Sequence, residues 1–547
     1  MRPTPVTLHE GARAHPERVR FRTPEPLTWA EIDAAVREVG LWLEGVGLER
    51  ERPVAVFAPN RIEWLYAALG IQAAGGVMVP IYPSSTAAQA GYVLRHSGAL
   101  AVFVDSQALL ERVMASGAAD GLGYIVLLGG GHDVAAAIEA ARASGVEISD
   151  DLLRRVLPLE QVRERGRSLD VNEAYGQLLS RLVRADRCLM LYTSGTTGHP
   201  KGVPLTWDNV NSNSEDWIEV LGPALPELRV DLFWLPMSHI FGWGEACLGF
   251  ELGFESYLTT PAEVLELFAT VRPTIFMSVP AYWEKLAAGA LEAPDRERRK
   301  AKLLEDVGGR LAFCLSGGAG LDRRVKETFE EAGLLIIEGY GLTEAAPTLT
   351  MNRPSDYRFD SVGKAFPRVE LQLAEDGEIL ARGPNVFGGY HDDAEATSRA
   401  FTAEGWLATG DLGRLTEDGF LQIIGRKKEI LVTAGGKNIP PANIELAFAS
   451  DDLIEHLVVY GDGKKYLVAG VWLSPVARRE NPDLIGPEVD RRIEAVNATL
   501  ARHETIKKHC IMQEPLTVEA GLLTPTLKIK RSKVYDAFRA SFEGLYA

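Results

Sequence analysis

Cysteine is scarce in this chain: four residues in 547, at Cys188, Cys247, Cys314 and Cys510. That scatter gives neither the close spacing of a metal site nor a disulfide framework, and reduced thiols are the expectation. Long apolar runs are missing too. No stretch approaches the roughly 20 residues that cross a bilayer as a helix, and the opening Met1-Arg2-Pro3-Thr4-Pro5 lacks the apolar centre of a secretory signal. Positive charge is short: 58 Lys and Arg against 75 Asp and Glu leave a net charge of −17, which argues against a nucleic-acid partner. No fixed-period repeat or low-complexity tract is visible. What remains is 46% hydrophobic, ordinary for a soluble globular protein and too long for one core. A cytoplasmic location is expected; peripheral contact at the inner membrane and oligomerisation stay open.

Apolar strand-like runs alternate with helical patterns. Val54–Phe57, helix-periodic Trp64–Ala74, Val77–Pro80, Ala101–Val104 and Tyr124–Leu128 begin the series. Val230–Leu235, Thr274–Val279, Leu311–Leu315 and Leu334–Ile337 continue it. Such alternation predicts βαβ units and a mainly parallel sheet. From about Arg368 the runs shorten, separated by Asp376-Gly377, Gly388-Gly389, Glu404-Gly405 and Asp418-Gly419. Those dipeptides predict hairpins in a small β-rich part. Beyond Arg426-Lys427-Lys428 the chain mixes helices and short strands.

The most informative segment runs from Tyr192 to Gly202, Tyr-Thr-Ser-Gly-Thr-Thr-Gly-His-Pro-Lys-Gly, after the buried-strand pattern Cys188–Leu191. Small residues let backbone N–H groups converge on an anion, hydroxyls add donors, and Lys201 adds a point charge. Proline before the lysine and glycine after it separate this run from the Walker spacing. Read alone, a flexible linker stays open. Further on, Glu338-Gly339-Tyr340-Gly341-Leu342-Thr343-Glu344 follows a strand. Glu344 can hold Mg²⁺, Thr343 a phosphate oxygen, and Tyr340 can flank a base, although a plain strand–turn–helix corner reads the same. By themselves Ser316-Gly317-Gly318-Ala319 is a turn, Asp411 a turn residue closing the run Trp406–Asp411, and Gly425-Arg426-Lys427-Lys428-Glu429 a solvated charge cluster. The lone His239 near Trp243 and the Lys-rich tail around Lys528 have equally plain readings.

In this order, from about residue 25 to 540, the motifs resemble the adenylate-forming (AMP-binding) superfamily. The run Thr526-Leu527-Lys528-Ile529-Lys530-Arg531 resembles its long-chain acyl-CoA synthetase branch. The resemblance implies an α/β fold: a large N-terminal domain of doubly wound subdomains plus a small β-rich subdomain (1–427), then a small mobile α+β C-terminal domain (428–547). It implies ATP or AMP contacts from Thr193, Ser194, Gly195, Thr196, Thr197, Gly198 and Lys201. Gly317, Gly318 and Ala319 would line the adenine. Gly339, Tyr340, Gly341 and Thr343 would also contact ATP or AMP, Tyr340 flanking the base and Thr343 meeting a phosphate oxygen. Asp411 would hold the ribose, and Arg426 the ribose or phosphate. Thr193 and Glu344 would hold Mg²⁺ and share catalysis with Lys528, for which Lys530 competes. His239 and Trp243 would border the acyl group, Gly435 and Gly436 the CoA channel, and Lys428 would be the hinge. Gly425 stands where the family often has Asp.

The implied reaction joins a medium- or long-chain fatty acid to ATP as acyl-adenylate, then to CoA. A fatty acyl-AMP ligase loading a carrier protein is the alternative. ATP and CoA are polyanions, so a chain this acidic must bind them through local cations and oriented N–H groups.

Overall fold

The computed structural model describes all residues except 194–198, 450, 476, 480, 481, 519 and 525–527, and the side chains of 479 and 482–484. Among the described residues the backbone forms five sheets. The seven-stranded sheet orders Val156–Pro158, Tyr124–Leu127, Ala101–Val104, Pro53–Phe57, Val77–Ile81, Arg187–Thr193 and Lys201–Thr206, parallel until the last strand turns back. The nine-stranded sheet is parallel from Ile336–Gly341 through Phe313–Ser316, Ile275–Ser278, Val230–Phe233 and Glu255–Leu258 to Val19–Thr23. Antiparallel strands close both of its edges. These are the βαβ units that the alternation predicts, with helices covering both faces.

One helix lies between the two sheets. Every residue of Ile62–Ala73 except Glu63 is buried, because this helix is apolar all round and has no face to give to water. Its Trp64, Leu65 and Leu69 share a core with Val54 and Phe103 of one sheet and Phe21 and Phe233 of the other.

The predicted β-rich part is an antiparallel sheet of Glu370–Leu373, Glu378–Arg382, Leu407–Leu415 and Leu421–Arg426. Asp376-Gly377 and Asp418-Gly419 turn its hairpins. Gly388-Gly389 does not: that loop folds onto the helix Ala394–Ala400, where Tyr390 N donates to Thr397 Oγ1 at 2.9 Å. Asp411 lies inside a strand instead of closing one. The run Val230–Leu235 also stops early, at Phe233. Asn60 takes the next carbonyls, donating from Nδ2 to Trp234 O (3.2 Å) and Leu235 O (2.9 Å) while its Oδ1 accepts from Met237 N.

After Arg426 come a hairpin, Leu431–Val432 with Asn438–Ile439, and a three-stranded sheet of Ile454–Tyr460, Leu467–Leu473 and Ile506–Ile511. One face packs Leu457, Val459 and Val471 against Val489 and Ile493. The other packs Val458 and Trp472 against Val534, Phe538 and Phe542. No described helix is long and apolar enough to cross a membrane.

The sequence motifs follow the C-terminal ends of parallel strands, where open α/β sheets bind ligands. Strand Arg187–Thr193 leads into the glycine-rich segment, Phe313–Ser316 into Gly317, Ile336–Gly341 into Thr343 and Glu344, and Val230–Phe233 into His239. The helix Ile240–Leu252 starts hard against that last loop. A Cβ on Gly242 would lie 2.3 Å from Pro236 O and 2.7 Å from Leu235 O. Gly242→Ala is therefore expected to lower stability by about 1–3 kcal/mol, as an overpacked site does. Urea unfolding measures it; an unchanged midpoint would mean the loop gives way without cost.

Candidate active site

Strand register places Asp411 opposite Arg426. Arg426 Nε lies 3.0 Å from Asp411 Oδ1, and Tyr340 donates its hydroxyl to Asp411 Oδ2 at 2.7 Å. The Asp411 side chain is only 7% exposed. Burial pushes its pKa up, while Arg426, Tyr340 and Lys528 pull it back. Lys528 reaches this group from the far end of the chain. Its backbone is held at Thr524, through Lys528 N to Thr524 Oγ1 (3.0 Å) and Thr524 N to Lys528 O (2.8 Å). The side chain is solvent-accessible yet crowded by protein, and that crowding first, then the Arg426 charge, lowers its pKa against the pull of Asp411. Lys530 is perturbed by burial and by Lys533 instead. The structure thus puts Lys528, not its rival, beside Asp411.

His239 caps the helix Ile240–Leu252: its Nδ1 accepts from Phe241 N at 3.2 Å. Nε2 is then the N–H donor of the neutral ring. Burial first and the charge of Lys528 second bring the His239 pKa down to about 4. One turn on, Trp243 is 1% exposed and its ring lies 5.8 Å from that of Trp64. Phe241 touches the glycine segment, where a Cβ on Gly317 would meet its ring at 3.2 Å. The segment Gly317-Gly318-Ala319 therefore lies against the helix that His239 caps.

A second group forms around Glu344. A Cβ on Gly341 would fall 1.8 Å from Pro347 O, so only glycine allows the backbone crossing that leads into the short helix Thr343–Ala345. Glu344 Oε1 accepts from the Tyr390 hydroxyl at 2.8 Å, and Lys201 Nζ sits 4.4 Å from the centre of the same ring. Thr193 pairs with Lys201 in the antiparallel register. Gly339 pairs with Met351 beside Tyr340. Ser194, Gly195, Thr196, Thr197 and Gly198 lie outside the described residues. Glu344 Oε2 and the Thr193 hydroxyl are hard oxygen donors of the kind Mg²⁺ takes. Among the described residues no group of three or more His, Cys, Asp or Glu side chains that could hold a metal ion occurs.

Two expected sites stand apart. Gly435 and Gly436 occupy an exposed turn before the strand Asn438–Ile439, and among the described residues no hydrogen bond or ion pair joins this turn to Lys528. Lys428 is exposed in the short helix Lys427–Glu429, directly after the strand bearing Arg426. The structure also gives contacts to residues that had no assigned role. Tyr390 follows two glycines and shows no other signal. Lys326 and Glu338 form a buried ion pair, Nζ to Oε2 2.5 Å, and Glu338 Oε1 accepts from Leu321 N at 2.9 Å; a carboxylate ending an apolar strand was the available hint. Arg531 grips Glu445 through both terminal nitrogens at 2.5 and 2.6 Å, fixing the segment just after Lys528.

Residues 8–391 match the AMP-binding enzyme family, and residues 428–547 match the AMP-binding enzyme C-terminal domain. The long-chain-fatty-acid–CoA ligase FadD15 of Mycobacterium bovis is 32% identical, over 98% of this chain and 96% of its own. The long-chain-fatty-acid–CoA ligase ACSBG1 of Rattus norvegicus is 27% identical, over 95% of this chain and 82% of its own. Among solved structures, the anthranilate CoA ligase AuaEII with anthranoyl-AMP shares the fold at a TM-score of 0.79 and 22% identity, covering 98% of both chains. The A-PCP didomain of the carboxylic acid reductase of Segniliparus rugosus, with AMP, does so at 0.82 and 19%, covering 100% of this chain and 82% of its own.

His239 has a lower pKa folded than unfolded, so the unfolded chain takes up this proton first. The stability from its neutral ring is present above the unfolded value of about 6.5 and drains away as pH falls toward about 4. NMR of the ring is expected to show no titration between neutrality and about pH 5, and Lys528→Met to raise the midpoint by removing the second cause. A midpoint near the ordinary histidine value in the wild type would show the ring to be open to water.

Proposed function

This chain belongs to the AMP-binding enzyme family, and from that premise we propose that it joins a medium- or long-chain fatty acid to ATP as acyl-adenylate, then transfers the acyl group to CoA, releasing AMP and pyrophosphate. The observation that carries the reading is the meeting of Asp411, Arg426, Tyr340, His239 and Lys528. A carboxylate oxygen of the acid attacks the α-phosphorus, and negative charge grows on the phosphoryl oxygens. Lys528 meets that charge from a side chain crowded by protein, and a cation already in place costs no reorganisation at the moment of reaction. The neutral His239 donates from Nε2 to the acid and holds it for in-line attack. Asp411 has lone pairs beyond those used by Tyr340 and Arg426, and these accept the ribose hydroxyls. Lys201 draws the outer phosphates. Mg²⁺, held by Glu344 and Thr193, would neutralise charge shared between phosphates.

The fatty-acid assignment draws on the relatives' names and on the apolar wall of Trp243 and Trp64 next to His239. Each buried CH₂ adds about 0.8 kcal/mol, so a long chain gains affinity quickly along such a wall. The present arrangement, with Lys528 beside Asp411 and Gly435 and Gly436 on an exposed turn, suits the first half-reaction. Thioester formation needs the glycine turn brought to the acyl carbon, and a rotation of residues 428–547 about Lys428 supplies that exchange.

Lys528→Ala is expected to cut pyrophosphate release from acid and ATP about 10²–10³-fold while leaving most thioester formation from supplied acyl-adenylate. Equal loss in both half-reactions would overturn the assignment. Run with acids from acetate to long chains, the wild-type assay should consume CoA in step with pyrophosphate release. Pyrophosphate release with no CoA consumption would favour a carrier protein as acceptor.

A further inference from the structure

Lys201 and Glu344 carry opposite charges close to one another, yet among the described residues neither has an ion-pair partner. Tyr390 stands between them. Its ring face receives Lys201 Nζ at 4.4 Å and its hydroxyl donates to Glu344 Oε1 at 2.8 Å. Lys326 and Glu338 show what a lysine and a glutamate do in this chain with nothing between them: they close to 2.5 Å, buried, and neither charge is left for a ligand.

The ring is fixed from several sides. Tyr390 N donates to Thr397 Oγ1 at 2.9 Å, Phe387 packs edge-on at 4.9 Å, and His391 N donates to Gly202 O at 2.9 Å, beside Lys201. An aromatic face attracts a cation without neutralising it. A phenol that donates to a carboxylate gains electron density, which strengthens that attraction, and it occupies one carboxylate oxygen while leaving the other.

We propose that Tyr390 is a positioning residue of the phosphate site, whose ring holds Lys201 and whose hydroxyl aims Glu344, keeping the two charges from pairing so that each serves MgATP. This rests on the reading of Lys201 as a phosphate group and Glu344 as a metal ligand. Tyr390 itself touches neither ligand.

Two substitutions separate its two roles. Tyr390→Phe keeps the face and loses the hydroxyl; Tyr390→Leu loses both. Calorimetric titration of ATP into the full chain, with and without Mg²⁺, gives the readout, with thermal melts alongside. Tyr390→Phe is expected to bind metal-free ATP within about twofold of wild type, while the Mg²⁺ needed for half-maximal enhancement of binding rises about tenfold. Tyr390→Leu is expected to weaken metal-free ATP binding about tenfold as well. Combined with Glu344→Gln, Tyr390→Phe should add little further change in Mg²⁺ dependence, since both act on one contact.

A wild-type Mg²⁺ requirement in Tyr390→Phe overturns the proposal, as does equal loss of metal-free binding in both variants. Should Tyr390→Leu not fold, the Mg²⁺ requirement of Tyr390→Phe at an unchanged melting temperature decides alone. If the wild type itself binds ATP without regard to Mg²⁺, it is the metal reading of Glu344 that fails. A wild-type response that Tyr390→Phe leaves intact removes the role of Tyr390 only.

Discussion

A carboxylate held almost out of water cannot be left uncompensated, and Asp411 is such a group. Desolvating a charge costs several kcal/mol even after the protein relaxes, so its surroundings must return that energy in hydrogen bonds and opposite charge. Three distant pieces of chain do so. Arg426 comes from the neighbouring strand, Tyr340 from the last parallel strand of the nine-stranded sheet, and Lys528 from the last segment. The requirement of one buried anion is thus what draws sheet, hairpin and C-terminal segment to a single point. It also explains why Lys528 remains a cation under strain: the carboxylate favours its charge, while Arg426 and the surrounding protein oppose it.

The local parts of this arrangement were legible in the residues. Apolar runs bounded by turn residues read as parallel strands because both faces of each sheet are covered, and the glycine-rich and lysine motifs are contiguous. Legibility ended where a contact depends on residues far apart. Asn60 stops a strand by taking the carbonyls of Trp234 and Leu235, 174 and 175 residues away, and nothing near Trp234 announces it. Tyr390 matters because residues 201 and 344 fold to either side of it; in the sequence it is one tyrosine after a glycine pair. The same pair looked like a hairpin turn because dipeptide chemistry describes the bend and not what the loop then packs on. Arg531 closes the lysine motif, but nothing around Glu445 announces that the fold joins the two.

Net charge poses a further constraint, since a chain of −17 repels polyanions at long range. The structure meets it locally. Most arginines are tied to nearby carboxylates, as Arg163 and Arg167 are to Glu38, whereas among the described residues Lys201 has no ion-pair partner and Lys528 shares the field of Asp411 with Arg426. Positive charge thus stands close to Asp411 and Glu344, where it acts on an anion at short range despite the net charge.

The three-stranded sheet after Arg426 has a complete apolar core on each face, and none of its buried residues belongs to the cores of the preceding part. Displacing that body as a unit uncovers little apolar surface. Heat capacity changes chiefly with apolar exposure, so under the proposed rotation the two arrangements would differ little in heat capacity, and their balance would shift smoothly with temperature. The sensitive variable would then be ionic strength, because the attraction of Lys528 to Asp411 is between charges and the lysine is open to water, where dissolved salt screens it.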